Sequence, residues 1–145
     1  MKISARAIRE FFPCNEKNIY VADKDYYIPD EMWFFEKLNI VHQAVLILCG
    51  LDQWTESNDC DNFHDTYHGL ANMLYAKWSM PDKPQGIAVG KVWYKVGGTG
   101  GIGHAINVAF VKKNDSWNMR FIEPQGPQFK ELTPEELSTI YFVRF

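Results

Sequence analysis

Three side chains have types and positions that suit acyl-transfer chemistry: Cys60, His104 and Glu123. Cys60 follows Ser57-Asn58-Asp59, all good helix caps. Cys60, Phe63, Tyr67, Leu70, Ala71 and Leu74 recur at helical spacing, predicting a helix from about Cys60 to Trp78 that Pro81 and Pro84 end. The thiol therefore falls at a helix N-terminus, whose field and free N–H groups favour the thiolate, the nucleophilic form. His104 follows the glycine-rich Gly97–Gly101 turn and Gly103 and opens an apolar strand, where an imidazole can serve as base. Glu123 closes the strand Trp117–Glu123. If Asn114-Asp115 turns a hairpin, opposed residue numbers add to about 229, which sets Glu123 within about two residues of the position facing His104. A carboxylate there fixes the imidazole's tautomer.

The chemistry expected of such a set is attack by the Cys60 thiolate on an acyl carbon, giving a thioester. His104 shuttles the proton, and main-chain N–H at Cys60 faces the oxyanion. Peptidase or amidase hydrolysis of a peptide or protein substrate is the leading expectation, with no cofactor required. Two other functions compete with it. His64-Asp65-Thr66-Tyr67-His68 is a near miss to a zinc-hydrolase motif, so Cys60, His64 and His68 form a rival zinc set. A non-catalytic binding module on the same fold is the other, with Trp54, Trp78, Trp93 and Trp117 available for recognition.

The elements that must position these residues follow from periodicity. Ser4 caps a first short helix that stops before Pro13, and Asp30 stands at the start of a second carrying Trp33, Phe34 and Leu38. Val41–Leu48 is an apolar run compatible with a buried helix or a strand. After Gly86 the pattern alternates: strands are expected over 87–94, 104–111 and 117–123. A capping box at Thr133 and Glu136 comes next, then a closing strand over 138–145. Helices first and an antiparallel sheet second predict an α+β domain spanning residues 1–145, with the nucleophile at the start of a central helix packed on the sheet.

Asp59-Cys60-Asp61-Asn62-Phe63, Gly103-His104-Ala105-Ile106-Asn107 and Glu123-Pro124-Gln125, in that order, resemble a known family. It is the papain-like cysteine peptidase domain of the Marasmius oreades agglutinin type, with its small bacterial and phage relatives. Tyr27-Ile28-Pro29 and Trp54-Thr55-Glu56 also fit that pattern. The resemblance implies a papain-like fold and a Cys–His–Glu triad at Cys60, His104 and Glu123. It also implies an oxyanion-donating glutamine, for which Gln53 is the one at a suitable distance, and calcium dependence, for which Glu56, Asp59 and Asp61 offer hard oxygen ligands. Asn62 and His64 depart from the commoner family form.

Bulk properties narrow the setting. A net charge of -3 gives no basic footprint for nucleic acid. Three sparse cysteines, Cys14, Cys49 and Cys60, do not make a disulfide framework. Neither a signal-peptide pattern nor a membrane-spanning apolar run is evident, so a cytoplasmic protein without a membrane partner is expected.

Overall fold

The computed structural model describes residues 1–80 and 82–145, so Pro81, one of the two expected helix stops, lies outside the described residues. Strand β1 (Lys2–Ser4) leads into helix α1 (Ala5–Glu10), whose N-cap is Ser4. Strands β2 (Ile19–Tyr20) and β3 (Asp25–Tyr27) follow. A continuous helical run then contains α2 (Glu31–Trp33), a π-helical turn (Phe34–Leu38) and α3 (Asn39–Cys49). Helix α4 (Cys60–Ala76) comes next, then strands β4 (Gly86–Ile87), β5 (Val89–Val96), β6 (Ile102–Lys113), β7 (Ser116–Glu123) and β8 (Gln128–Lys130). Helix α5 (Pro134–Ser138) and strand β9 (Phe142–Arg144) close the chain.

The strands form two sheets, ordered β1-β3-β4 and β2-β9-β5-β6-β7-β8. This corrects the expected helices-then-antiparallel-sheet architecture. The first thirty residues contribute three strands, and β2 runs parallel to β9 and β3 parallel to β4. Two- and three-residue strands are too short to show a period-two pattern, and their partners are remote in sequence, so local periodicity could not reveal them.

Both faces of the large sheet are covered. Val92, Ile106, Val108, Phe110 and Val143 pack with Ile8, Phe12, Tyr26 and Phe145 on one side. Val89, Ala109, Val111 and Ile122 pack with Phe34, Leu38, Tyr67, Ala71 and Tyr75 on the other. At roughly 1.5–3 kcal/mol for each large apolar side chain removed from water, these two clusters dominate the stabilisation. Small residues on β6 let α4 lie close to the sheet, and fully buried Asn107 donates from Nδ2 to the carbonyls of His64 (3.0 Å) and Gly90 (3.1 Å). That amide ties α4 to β5.

The Glu31–Cys49 run is, among the described residues, the one helical stretch with the length and composition to cross a bilayer, at a mean hydropathy of 1.2. It is only weakly apolar, and part of it is buried in the protein, so no clear transmembrane span is present.

Candidate functional site

Asp59 fixes where α4 begins. Its carboxylate accepts from the Asp61 N–H (3.0 Å), and the Asn62 side chain accepts from the Asp59 N–H (3.2 Å), completing a capping box. Asn62 thus has a structural task. His64 tightens the same turn, with Nδ1 against the carbonyls of Asp61 (2.5 Å) and Cys60 (3.2 Å). Buried Asn58 clamps the preceding loop by donating to the carbonyls of Leu51 (2.7 Å) and Gln53 (3.1 Å). Cys60 is therefore held at the helix tip, where the main-chain N–H of Ala105 points at its thiol.

The β6–β7 hairpin has the expected register, with Asn107 opposite Ile122. His104 Nε2 lies 2.9 Å from Glu123 Oε2, both side chains being mostly buried. His104 Nδ1 makes no hydrogen bond among the described residues. Glu123 also accepts weakly from the Gln125 N–H and sits 3.6 Å from Lys130 Nζ. Burial pushes its carboxyl up, but the His104 hydrogen bond and the His104 and Lys130 charges outweigh that, leaving it below the ordinary carboxylate range. Cys60, His104 and Glu123 thus gather where α4 meets the β6–β7 edge.

Their electrostatics differ from expectation. Burial raises the Cys60 thiol above its ordinary value, and the carboxylates of Asp61 and Asp59 add to the rise. The N–H groups of Ala105 and Cys60 only partly counter them. The helix field was expected to give a thiolate; desolvation and two neighbouring anions give a protonated thiol.

The other predicted ligands do not assemble. Gln53 is exposed, and its side-chain amide donates to Asp52 (3.2 Å) instead of serving the Cys60 thiol. Asp59 is spent on the cap, and Asp61 accepts from Trp93 Nε1 (2.9 Å). Among the described residues no group of three or more His, Cys, Asp or Glu is placed to hold a metal ion. This covers Glu56 with Asp59 and Asp61 for calcium, and Cys60 with His64 and His68 for zinc.

A cleft missed in the sequence adjoins the cluster. Asn18, Trp93, Tyr141 and Phe142 line a cavity of about 460 Å³. The Trp93 and Phe142 rings meet edge to face, and Trp93 is anchored to Asp61 at the α4 tip. Burial first, then Asp61 and Cys60, raise the Tyr141 phenol, which places that ring within reach of the cluster's charges. A larger hollow of about 650 Å³, lined by Arg9, Tyr20 and Arg144 among others, shares Phe142 but none of the cluster residues.

Comparison with known proteins supplies a fold. The chain shares it with a lectin. A structure described as a PSL1a–E64 complex matches 99% of this chain with a TM-score of 0.68 at 19% identity. The Polyporus squamosus lectin bound to the human-type influenza-binding epitope Neu5Aca2-6Galb1-4GlcNAc matches 88% with a TM-score of 0.60 at 20% identity. The aligned regions are 50% and 42% of those chains, so this chain spans about half the length of the structures it matches. At these identities the likeness shows the fold alone. No family model matches the chain, and no curated protein matches it in sequence.

These matches correct the expectation built on the three motifs. Neither structure is described as a papain-like peptidase. The peptidase family, the papain-like fold class, the cysteine-hydrolase activity and the peptide or protein substrate give way to a fold shared with lectin structures.

Proposed function

We propose that this chain is a non-catalytic binding module whose site is the Trp93–Tyr141–Phe142 cleft, with Cys60, His104 and Glu123 forming its polar end. The supporting observation is an aromatic wall set beside a cluster of fixed hydrogen-bonding groups. Such a pairing suits a ligand with one apolar and one polar face. A pyranose ring is that kind of ligand: its C–H face stacks on aromatic rings while its hydroxyls meet Asp61, Asn18 and His104. An oligosaccharide is therefore the proposed ligand class, and the sialylated epitope held by the lectin of similar fold is the first to test. Three free cysteines, at positions 14, 49 and 60, support a reducing compartment, and the cytoplasm is the proposed one.

The test is titration of the chain with Neu5Aca2-6Galb1-4GlcNAc and with neutral oligosaccharides, followed by calorimetry and tryptophan fluorescence. Saturable binding, weakened by Tyr141→Ala in a chain of unchanged circular dichroism, is expected. Absence of binding to every glycan tried, or turnover of an acyl substrate that Cys60→Ala abolishes, would overturn it.

A further inference from the structure

We propose that the hollow bounded by α1, β2 and β9 is a second ligand site, for a small molecule that carries an oxyanion, carboxylate or phosphate, on a flat apolar ring. This goes beyond the glycan cleft and stands whether or not that cleft binds sugar. The hollow encloses about 650 Å³, within the roughly 300–1,000 Å³ of small-molecule sites. Arg9, in the last turn of α1, and Arg144, on β9, both line it, together with Tyr20, Phe142 and Phe145. Strand pairing brings these residues together from remote parts of the sequence. β2 runs parallel to β9 with Tyr20 opposite Arg144, and the Phe145 N–H donates to the Tyr20 carbonyl (2.8 Å). Arg9 is half-buried and donates from Nη2 to the Val21 carbonyl (3.4 Å), which ties α1 to the segment after β2.

Two observations select the ligand. The first is charge. Among the described residues no Asp or Glu lines the hollow, and neither Arg9 nor Arg144 makes an ion pair. The charged groups around them are committed elsewhere. Glu10 pairs with Arg6 (3.1 Å), and the Asp23 carboxylate lies over Gly86. Glu16 shares a separate hollow of about 270 Å³ with Arg9 and makes no ion pair with it. Lys91, opposite Arg144 on β5, takes Asp65 as its partner. Two cations on one hollow repel each other, and an oxyanion relieves that repulsion. The planar donor fork of each guanidinium matches carboxylate and phosphate geometry. The second observation is the wall. The Tyr20 and Phe142 rings lie 5.3 Å apart, tilted by 32°, and Phe145 is mostly buried beside them. Tyr20 is 55% exposed, so its ring is open to a flat partner whose anionic substituent meets the arginines. A bare inorganic ion would leave that wall unused.

Calorimetric titration of the chain with phenyl phosphate and with benzoate, against benzyl alcohol and inorganic phosphate, tests this. At least one of the two ring-bearing anions should saturate a single site and bind about tenfold or more tighter than benzyl alcohol or inorganic phosphate, and the tighter of the two names the anion. Arg144→Gln should weaken that binding about tenfold or more, the loss expected for a hydrogen bond to a charged group. Arg144 is exposed, so the variant should keep the parent's urea unfolding midpoint. Tyr20→Ser should bring the ring-bearing anion down to the level of inorganic phosphate. Benzyl alcohol binding as tightly as the anions, inorganic phosphate matching phenyl phosphate (an adventitious ion only), an Arg144→Gln chain of undiminished affinity, or no saturation by either ring-bearing anion would each overturn the proposal.

Discussion

The state of the Cys60 thiol is the sharpest consequence of the site's electrostatics, and alkylation measures it. Burial, Asp61 and Asp59 all raise the thiol, and the two N–H groups at the helix tip do not restore it. With an ordinary thiol value of 9.0 as the lower limit, less than about 1% is thiolate at pH 7, and the thiolate fraction grows tenfold per pH unit up to that limit. Iodoacetamide labelling of Cys60, followed by mass spectrometry in a Cys14→Ser, Cys49→Ser background, should accelerate in the same proportion from pH 6 to 9 with no plateau. The contribution of the carboxylates can be isolated. Asp59→Asn keeps a capping side chain and Asp61→Asn keeps an oxygen for Trp93, so each removes a charge with little loss of structure. Both carboxylates border solvent, which limits each to about 0.4–1 kcal/mol, or about a two- to fivefold faster reaction at fixed pH. A labelling rate already flat between pH 6 and 7 would refute the reasoning. It would mean a thiolate paired with His104, and Cys60 would again be a nucleophile.

Three further outcomes follow from the packing. Asn107→Ala should destabilise the chain by about 2–3 kcal/mol in urea unfolding, since it strips two hydrogen bonds and leaves the His64 and Gly90 carbonyls without that donor; a loss under about 0.5 kcal/mol would contradict the tie between α4 and β5. Burial lowers His42 to about 4, so its neutral form is required by the fold. The unfolded histidine takes a proton first, so His42 should cost stability of order 3 kcal/mol as pH falls from 6.5 to about 4; His64 and His68, which burial also lowers, add to the decline, and His42→Phe should remove only the His42 share. Glu123 titrates below its ordinary 4.5, so its contribution is present above that pH and is lost as pH falls through the lower folded value. Glu123→Gln should flatten the unfolding profile only on that acid side, and a change near neutrality would show that another group was responsible.

How far the sequence could be read depended on whether a signal was local. The α4 start was legible because Asp59 and Asn62 cap it within four residues, and the β6–β7 register because a two-residue turn sets it. The capping box at Thr133 and Glu136 was equally visible, its two hydrogen bonds spanning three residues. Strands β2, β3 and β8 were not, because each is two or three residues long and its pairing is settled by a partner elsewhere in the chain. The cleft was hidden for the same reason: Trp93 and Tyr141 lie 48 positions apart and meet only because β9 pairs with β5. One signal was available and unused. Asn107 stands alone as an amide inside His104-Ala105-Ile106-Asn107-Val108-Ala109-Phe110, and a lone amide in a buried strand needs partners across the core.

The fold comparison overturns the motif resemblance, and the charges around the thiol run against it as well. Cap, helix and hairpin bring a cysteine, a histidine and a carboxylate to one edge, and those devices are indifferent to whether the thiol is ionised. Ionisation is decided by what stands within a few ångströms of the sulfur. Here the same Asp59 that starts the helix, and the same Asp61 that steadies Trp93, are the anions that keep the proton on the thiol. Capping and aromatic anchoring therefore oppose nucleophilicity at this position. They leave a cleft with a raised thiol, a Glu123 set against His104 and Lys130, and a fixed aromatic wall, the features on which the proposed binding role rests. Replacing both aspartates by asparagine would relieve that opposition. If the double variant gained a plateau in thiol reactivity near neutral pH while losing nothing in fold stability, these two charges would be what holds the Cys60 thiol unreactive.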